Sequence, residues 1–293
     1  ITLPSDETTV NVNGNECALK DGKVWVAFNS SEKVHSARLS LFNKQADPGT
    51  IYTVTRGKST FVAKEFTVAD DGNGNVKKVK FSPGNLLYQA SSNKWEFAAR
   101  QWDFIGKADG NTTAANRDQN VAYIDLFGWG SWLNGDGIAK PYETQKDAPT
   151  KYIWSGNSAI GENWTTLSKD EWIYLLGDYA NNETPCRKDA KNLWAPKEVN
   201  GVFGLVILPD GSKANIANDS WENLEKVGAV FLPAAGSRDG TGVYAVGCNY
   251  YWSSSAGVED DAYDLYFDSD YVYPDDALYR VYGLSVRLVR AAL

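Results

Sequence analysis

The 293-residue chain has no methionine, one histidine (His35) and three cysteines, Cys17, Cys186 and Cys248. Each shortage removes a class of chemistry. With no histidine after His35, a histidine-dependent triad has no base in the rest of the chain. A lone histidine is more often a surface or packing residue than a ligand. Three widely spaced cysteines with no CxxC pair cannot make a full disulfide framework, although one bridge stays open. No apolar run approaches the roughly 20 residues a membrane-crossing helix needs. The net charge is −8 and no Lys/Arg stripe exists, so a phosphate backbone finds no footing and nucleic acid is not an expected partner. The chain starts at Ile1 without Met, and we read it as a mature or trimmed piece whose targeting segment has been removed.

Hydrophobic residues make up 43% of the chain and aromatics 13%, which describes a globular protein long enough for one large domain or two smaller ones. Ten of the eleven tryptophans lie between Trp95 and Trp252. That concentration points to a tryptophan-rich core or a sugar-binding surface, packing being the commoner use. Nine of the sixteen tyrosines fall between Tyr244 and Tyr282, beside eight acids from Glu259 to Asp276, and the last lysine is Lys226. Tyr, Asp, Asn, Gly and Ser on short strands compose a recognition surface rather than a reaction centre.

Residues 1–64 read as a small all-β sandwich-like module without evident chemistry. Its expected strands are Thr8–Val12, Lys23–Phe28, Ala37–Leu41, Ile51–Thr55 and Thr60–Ala63. Residues 65–293 form a second domain. Phe66–Val68 and Val76–Phe81 flank an acidic turn at Asp70–Asn75. It reads as a hairpin turn, since an EF-hand loop would need Gly at Val76 and Glu at Ser82. Leu87–Ala90 and Trp95–Ala98 form another hairpin, and residues 107–119 read as a polar surface loop. Ile124–Leu133 packs around Trp129 and Trp132, and no GK[ST] follows to make it a phosphate loop.

Two helices are legible. Ser168 and Glu171 form a capping box ahead of Trp172, Leu175 and Leu176, while Asp219-Ser220 opens a second helix that Gly228 ends. Val202–Leu208 and Ala229–Leu232 read as buried strands. Tyr263, Leu265 and Phe267 alternate with Asp264, Tyr266 and Asp268, which places the two sets on opposite faces of a strand. The class expected from this pattern is α+β, two helices with many short antiparallel strands.

Several motifs run in order along the chain: Phe81-Ser-Pro-Gly-Asn-Leu-Leu-Tyr-Gln-Ala, Trp95-Glu-Phe-Ala, Gln101-Trp-Asp-Phe-Ile-Gly, Asp125-Leu-Phe-Gly-Trp-Gly and Trp164-Thr-Thr-Leu-Ser-Lys-Asp-Glu-Trp. Leu208-Pro-Asp-Gly, Phe231-Leu-Pro-Ala-Ala-Gly, Tyr251-Trp-Ser-Ser-Ser and Leu284-Ser-Val-Arg-Leu-Val-Arg continue the series. Over about residues 65–290 the series resembles surface proteins of gut Bacteroidales. It is similar to the Fibrobacter succinogenes major paralogous domain and to C-type-lectin-fold variable proteins of diversity-generating retroelements. Residues 1–64 have only a general likeness to Ig- or fimbrillin-type β-modules.

The resemblance implies a C-type-lectin-like domain with a variable segment at 237–282, in which mutated Asn codons of the form NNY cannot encode Lys, Glu, Gln, Met or Trp. From Asp239 to Tyr282 there is no Lys, Gln or Met, one Glu (Glu259) and one Trp (Trp252), and both exceptions are assigned to a fixed framework. The implied ligand-binding residues are Asp239, Tyr244, Cys248, Tyr250, Asp260, Asp261, Tyr263, Asp264, Tyr266, Asp268, Tyr271, Tyr273, Asp275, Asp276, Leu278, Tyr279, Val281 and Tyr282. Trp252, Leu265, Phe267, Val286 and Leu288 are expected to hold the core.

The function so implied is ligand binding, as adhesion or receptor recognition, by a secreted, surface-displayed protein. Its partner would be a protein or a glycan on another cell or host surface. The N-terminal module would serve pilus or cell-envelope attachment. Two alternatives are weighed. A calcium-dependent carbohydrate-binding lectin would use the acids of 259–276 to hold Ca²⁺, but the Glu-Pro-Asn and Gln-Pro-Asp tripeptides of sugar-binding relatives are absent. A carboxylate-dependent glycoside hydrolase would use a pair of these acids, yet no motif fixes a pair. The formylglycine-generating enzyme shares the broad fold, but Cys186 and Cys248 lack its context. The expectation is a binding protein, not an enzyme, with no cofactor.

Overall fold

The computed structural model describes residues 9–12, 15–18, 34–41 and 51–55 toward the N-terminus. Beyond these it describes 62, 64–89, 94–106, 111, 123–129, 160, 163–177, 180–181, 192–239 and 242–292. The chain divides into two compact units, Ile1–Lys58 and Ser59–Leu293. In the first, β1 (Thr9–Val12), β2 (Asn15–Ala18), β3 (Val34–Leu41) and β4 (Ile51–Thr55) form one antiparallel sheet in the order β2-β1-β3-β4. The expected strand Lys23–Phe28 and all of Thr60–Ala63 but Val62 lie outside the described residues.

The second unit opens with the expected hairpin of β5 (Phe66–Asp70) and β6 (Val76–Phe81). Asp71 builds its turn by accepting the amides of Asn73 and Asn75 at 2.8 and 3.2 Å and Asn75 Nδ2 at 2.6 Å. The carboxylate is thereby engaged in local turn bonds. Next, β7 (Leu86–Gln89) pairs with β8 (Lys94–Phe97) and with β9 (Tyr123–Ile124), and β10 (Leu126–Phe127) follows. Of the segment expected as a surface loop at 107–119, only Asn111 is described, and it is buried.

The first helix, α1 (Lys169–Leu176), starts where its capping box starts it. Ser168 Oγ accepts the Glu171 amide at 3.2 Å and Glu171 Oε2 accepts the Ser168 amide at 2.8 Å. After it come β11 (Ala180–Asn181), β12 (Trp194–Val199) and β13 (Val202–Ile207). The second helix, α2 (Trp221–Lys226), is capped by Ser220 and stopped near Gly228, whose φ of +93° suits only glycine readily. Then β14 (Val230–Pro233) completes a β12-β13-β14 sheet.

The C-terminal segment builds the largest sheet. A small hairpin of β15 (Ser237–Asp239) and β16 (Gly242–Tyr244) leads into an antiparallel meander of β17 (Asn249–Ala256), β18 (Asp261–Phe267) and β19 (Tyr271–Tyr279). The chain then returns as β20 (Leu284–Ser285), parallel to β17, and ends with β21 (Val289–Ala291) paired to β6. The six-stranded order is β10-β20-β17-β18-β19-β11.

Strand occupies 47% of the described residues and helix 9%, which overturns the expected α+β class of a C-type-lectin-like domain with two helices against short strands. The unit is β-rich, with several small sheets. Both helices form, but start and stop signals set one or two turns apart limit them to eight and six residues. Nearly every other periodic run became a strand.

Each face of the meander is covered in part. Tyr251, Leu265, Phe267 and Val272 pack with Trp172, Leu175 and Leu176 of α1 and with Phe66 and Phe81. Trp252 and Ala262 pack with Leu284, Val286, Leu288, Trp129 and Trp164. Burying each large apolar side chain stabilises the fold by roughly 1.5–3 kcal/mol. Trp252, Leu265, Phe267, Val286 and Leu288, the expected framework, are all fully buried. Trp252 Nε1 also donates to Phe127 O at 2.6 Å.

Candidate recognition face

The register of the meander sorts its side chains. Tyr250 lies opposite Tyr266, and Tyr266 opposite Tyr273. In the next row Trp252 faces Asp264 and Asp264 faces Asp276, and beyond it Ala262 faces Leu278. Strand alternation puts these three rows on one face, away from Tyr251, Leu265 and Phe267. On β19 the step from Tyr273 to Asp276 spans one more residue than the matching step on β18. The extra residue falls at Pro274-Asp275, where a bulge tolerates a residue with no N–H to donate.

The first row is an aromatic ladder. Tyr250 and Tyr266 have ring centroids 5.0 Å apart at 51°, and Tyr266 and Tyr273 are 5.8 Å apart at 39°. Tyr271 extends it at 5.9 Å from Tyr273. Beside the ladder, Ser237, Asp239, Tyr244, Tyr250, Leu278 and Tyr282 line an open hollow of about 390 Å³. Its walls are tied together by reciprocal amide bonds between Arg238 and Gly283, each 2.8 Å. Gly236 makes the hairpin's approach possible: its φ is +81°, and a Cβ there would lie 2.3 Å from Tyr244 O.

The expected ligand residues divide accordingly. Asp239, Tyr244, Tyr250, Leu278 and Tyr282 converge on the hollow, and Tyr266, Tyr271 and Tyr273 form the ladder beside it. Cys248 is half-buried with a free thiol. Tyr279, 59% exposed, stacks on Tyr282 at 6.2 Å. Tyr263 sits on the opposite face, with the Lys169 ammonium 4.4 Å from its ring centre. Asp260 is in the turn before β18 and Asp261 is the strand's first residue; Asp260 O accepts the Arg280 amide at 2.9 Å and Asp261 O accepts Arg280 Nε at 2.8 Å. Asp275 is exposed in the bulge and Val281 half-buried. Asp264, expected to point outward to a ligand, is instead fully buried. Of the two assigned framework exceptions, Trp252 is core, whereas Glu259 is exposed at a left-handed φ of +50° in a turn.

Electrostatics distinguish the acids. Asp264 is held well above the usual carboxylate range by burial and, secondarily, by Asp276 across the strand pair, and neither of its oxygens has a hydrogen-bond partner among the described residues. Burial also raises Asp276, with Asp275 adding to it. Asp268 behaves oppositely. Burial would raise it, but the Tyr266 hydroxyl at 2.7 Å and the amides of Asp270 and Tyr271 at 2.7 and 2.8 Å outweigh that and lower it. Asp268 is thus a turn-building residue. Burial pushes Tyr250 up to about 12, helped by Cys248 and the nearby aspartates, so its ring presents a neutral hydroxyl.

Sequence reasoning missed the polar residues that hold this face from behind. Asn249 accepts the Ala235 amide at 3.3 Å and donates to Leu232 O at 3.3 Å. Tyr251 Oη shares bonds with Asn85 and with Pro233 O. Arg287, fully buried, donates to Gln101 Oε1 at 2.7 Å. These partners are up to 186 residues apart, and nothing local announces them. Ser237 was nearer to hand, two residues before Asp239 on the same strand face.

A second hollow, lined by Lys64, Glu65, Lys78, Pro209 and Asp210, lies apart from these residues, and its Asp210 is engaged by Thr67 and Asn192. Among the described residues no group of three or more His, Cys, Asp or Glu gathers as a metal site, and no helix is long and apolar enough to cross a membrane. No family model, curated protein or solved structure matches the chain.

Proposed function

We propose that this protein is a ligand-binding protein whose C-terminal face recognises a partner on another cell or host surface without performing chemistry on it. The observation that carries the reading is the division of the 239–282 segment. Tyr244, Tyr250, Leu278 and Tyr282 line an open hollow with Tyr266 and Tyr273 stacked beside it, while Trp252, Leu265 and Phe267, from the same strands, are fully buried. Tyrosine offers large, stiff, amphipathic contact area at low entropic cost, which suits recognition by shape and hydrogen bonding. A surface whose outward residues can change while the inward ones stay fixed also suits a variable protein of a diversity-generating retroelement, displayed on the cell surface by its first unit.

The gene's own locus tests the diversification. A neighbouring reverse transcriptase and an Asn-codon-rich near-copy of the 3′ end are expected, with isolates differing between Tyr244 and Tyr282. Neither feature, together with invariant isolates, would remove that part of the reading. Serine substitution at Tyr244, Tyr250 and Tyr282 tests the face, since it should abolish capture of any cell-surface ligand while leaving the melting temperature nearly unchanged.

A further inference from the structure

We propose that the hollow takes the cationic side chain of a basic protein segment, an arginine or lysine, with Asp264 and Asp276, in the strand row beside the lining residues Tyr250 and Leu278, as its counter-charges. The inference rests on the recognition reading above and names its partner. Asp264 is the main observation: it is fully buried, and both carboxylate oxygens lack a hydrogen-bond partner among the described residues. Such a group is costly to bury unless something completes it. The register sets it diagonal to Tyr250 and Leu278, two side chains that line the hollow, and directly opposite Asp276. Asp239 adds a third carboxylate at the exposed rim.

Among the described residues, no lysine or arginine lines the hollow. Arg238 alternates away from Ser237 and Asp239 and donates to Leu126 O, Arg280 donates to Asp261 O with its guanidinium over Trp129, and Lys169 lies on the other face of the sheet over Tyr263. The acids are therefore not neutralised from within. The rings of Tyr244, Tyr250 and Tyr282 provide walls of the kind that attract a guanidinium or ammonium. Tyr250 and Leu278, both half-buried, are the lining side chains that stand diagonal to Asp264, and the entering cation has to pass them.

Among the described residues, the titratable groups near Asp264 are Asp276 opposite it on β19, Tyr266 on its own strand and Tyr250 diagonal to it on β17, with Cys248 and Asp268 close to Tyr250. None of them is a cation. Burial favours the protonated carboxyl in the free protein, so an entering cation releases its proton, and binding tightens as pH rises.

The test is selection of a random-peptide display library on the whole chain, with selected peptides then measured by fluorescence anisotropy. Peptides rich in Arg or Lys are expected, weakening about thirtyfold on Asp264→Asn and comparably on Asp276→Asn. The isosteric Asp264→Asn should at the same time raise the melting temperature, which separates lost binding from lost folding. Selected peptides without basic enrichment, or equal binding to Asp264→Asn, would overturn the cationic partner and leave the recognition face standing. A glycan array gives a second arm: glycan capture blocked by Tyr250→Ser but not by Asp264→Asn has the same meaning. Peptides that bind regardless of serine at Tyr244, Tyr250 and Tyr282 would bind elsewhere, and would overturn both readings.

Discussion

Asp125 and Asp264 are both fully buried carboxylates in the same unit, and their surroundings differ completely. Asp125 accepts the Ile105 amide at 2.7 Å and Asn111 Nδ2 at 2.5 Å, while Asn111 Oδ1 accepts the Asp125 amide in return at 3.2 Å. Among the described residues Asp264 has no such partner. Burial raises both, but the donors around Asp125 limit its rise to about 6, whereas the one neighbour acting on Asp264 is another acid that adds to the rise. A buried acid surrounded by donors organises a loop. One left without them costs stability, and proteins retain that kind of cost where a site needs it.

The comparison is sharpest against Trp252, which lies directly across β17–β18 from Asp264. Trp252→Ala should cost about 3–5 kcal/mol in urea denaturation, because it empties packed core and removes the bond to Phe127 O. A cost under about 1 kcal/mol would show that the framework and the open face are not distinct.

Both aspartates have folded values above their unfolded ones, so the stability they contribute is fully present below the unfolded value and is lost as pH rises through the folded one. For Asp125 that loss runs from the ordinary carboxylate value up to about 6 and amounts to on the order of 3 kcal/mol. Asp264 adds its own decline above the ordinary carboxylate value, and Asp264→Asn should remove that part of the curve.

The same substitution should then act in opposite directions at the two sites. At neutral pH, Asp125→Asn turns an amide donor toward Ile105 N or Asn111 Nδ2 and lowers stability by about 2 kcal/mol. Asp264→Asn removes an unpartnered carboxyl whose burial opposes its ionisation, and raises stability by about 1 kcal/mol. Equal signs in calorimetry would break the comparison. The smallest effect is expected at Tyr271, 42% exposed on the ladder, where Tyr271→Ser should stay within about 0.5 kcal/mol.

Much of the local structure was readable in advance. The Asp71 turn, the Ser168 capping box, the Ser220 cap and most described strands depend on residues within four positions of each other. The class was not readable in the same way, because the two capped helices are short and the strands around them join sheets whose members come from distant parts of the chain. The alternation of Tyr263, Leu265 and Phe267 with Asp264 and Tyr266 was likewise legible. It did not say that Asp264 would be sealed while Tyr266, next along the same face, would stay half-open. Asn111 shows the same limit, since a polar loop residue is buried only because Asp125 receives it.

By itself, then, the sequence determined the turns, the caps, the strand pattern and the tyrosine-and-aspartate composition of the C-terminal face, all of which follow from short-range bonding and side-chain type. The tertiary structure alone decided which residues of that face are covered. Coverage comes from segments distant in the chain: α1 on one face of the meander, and on the other Trp129, Trp164, Val286 and Leu288 packed with Trp252 and Ala262. Burial depends on what arrives from elsewhere, and that separates Asp264 from the tyrosines around it.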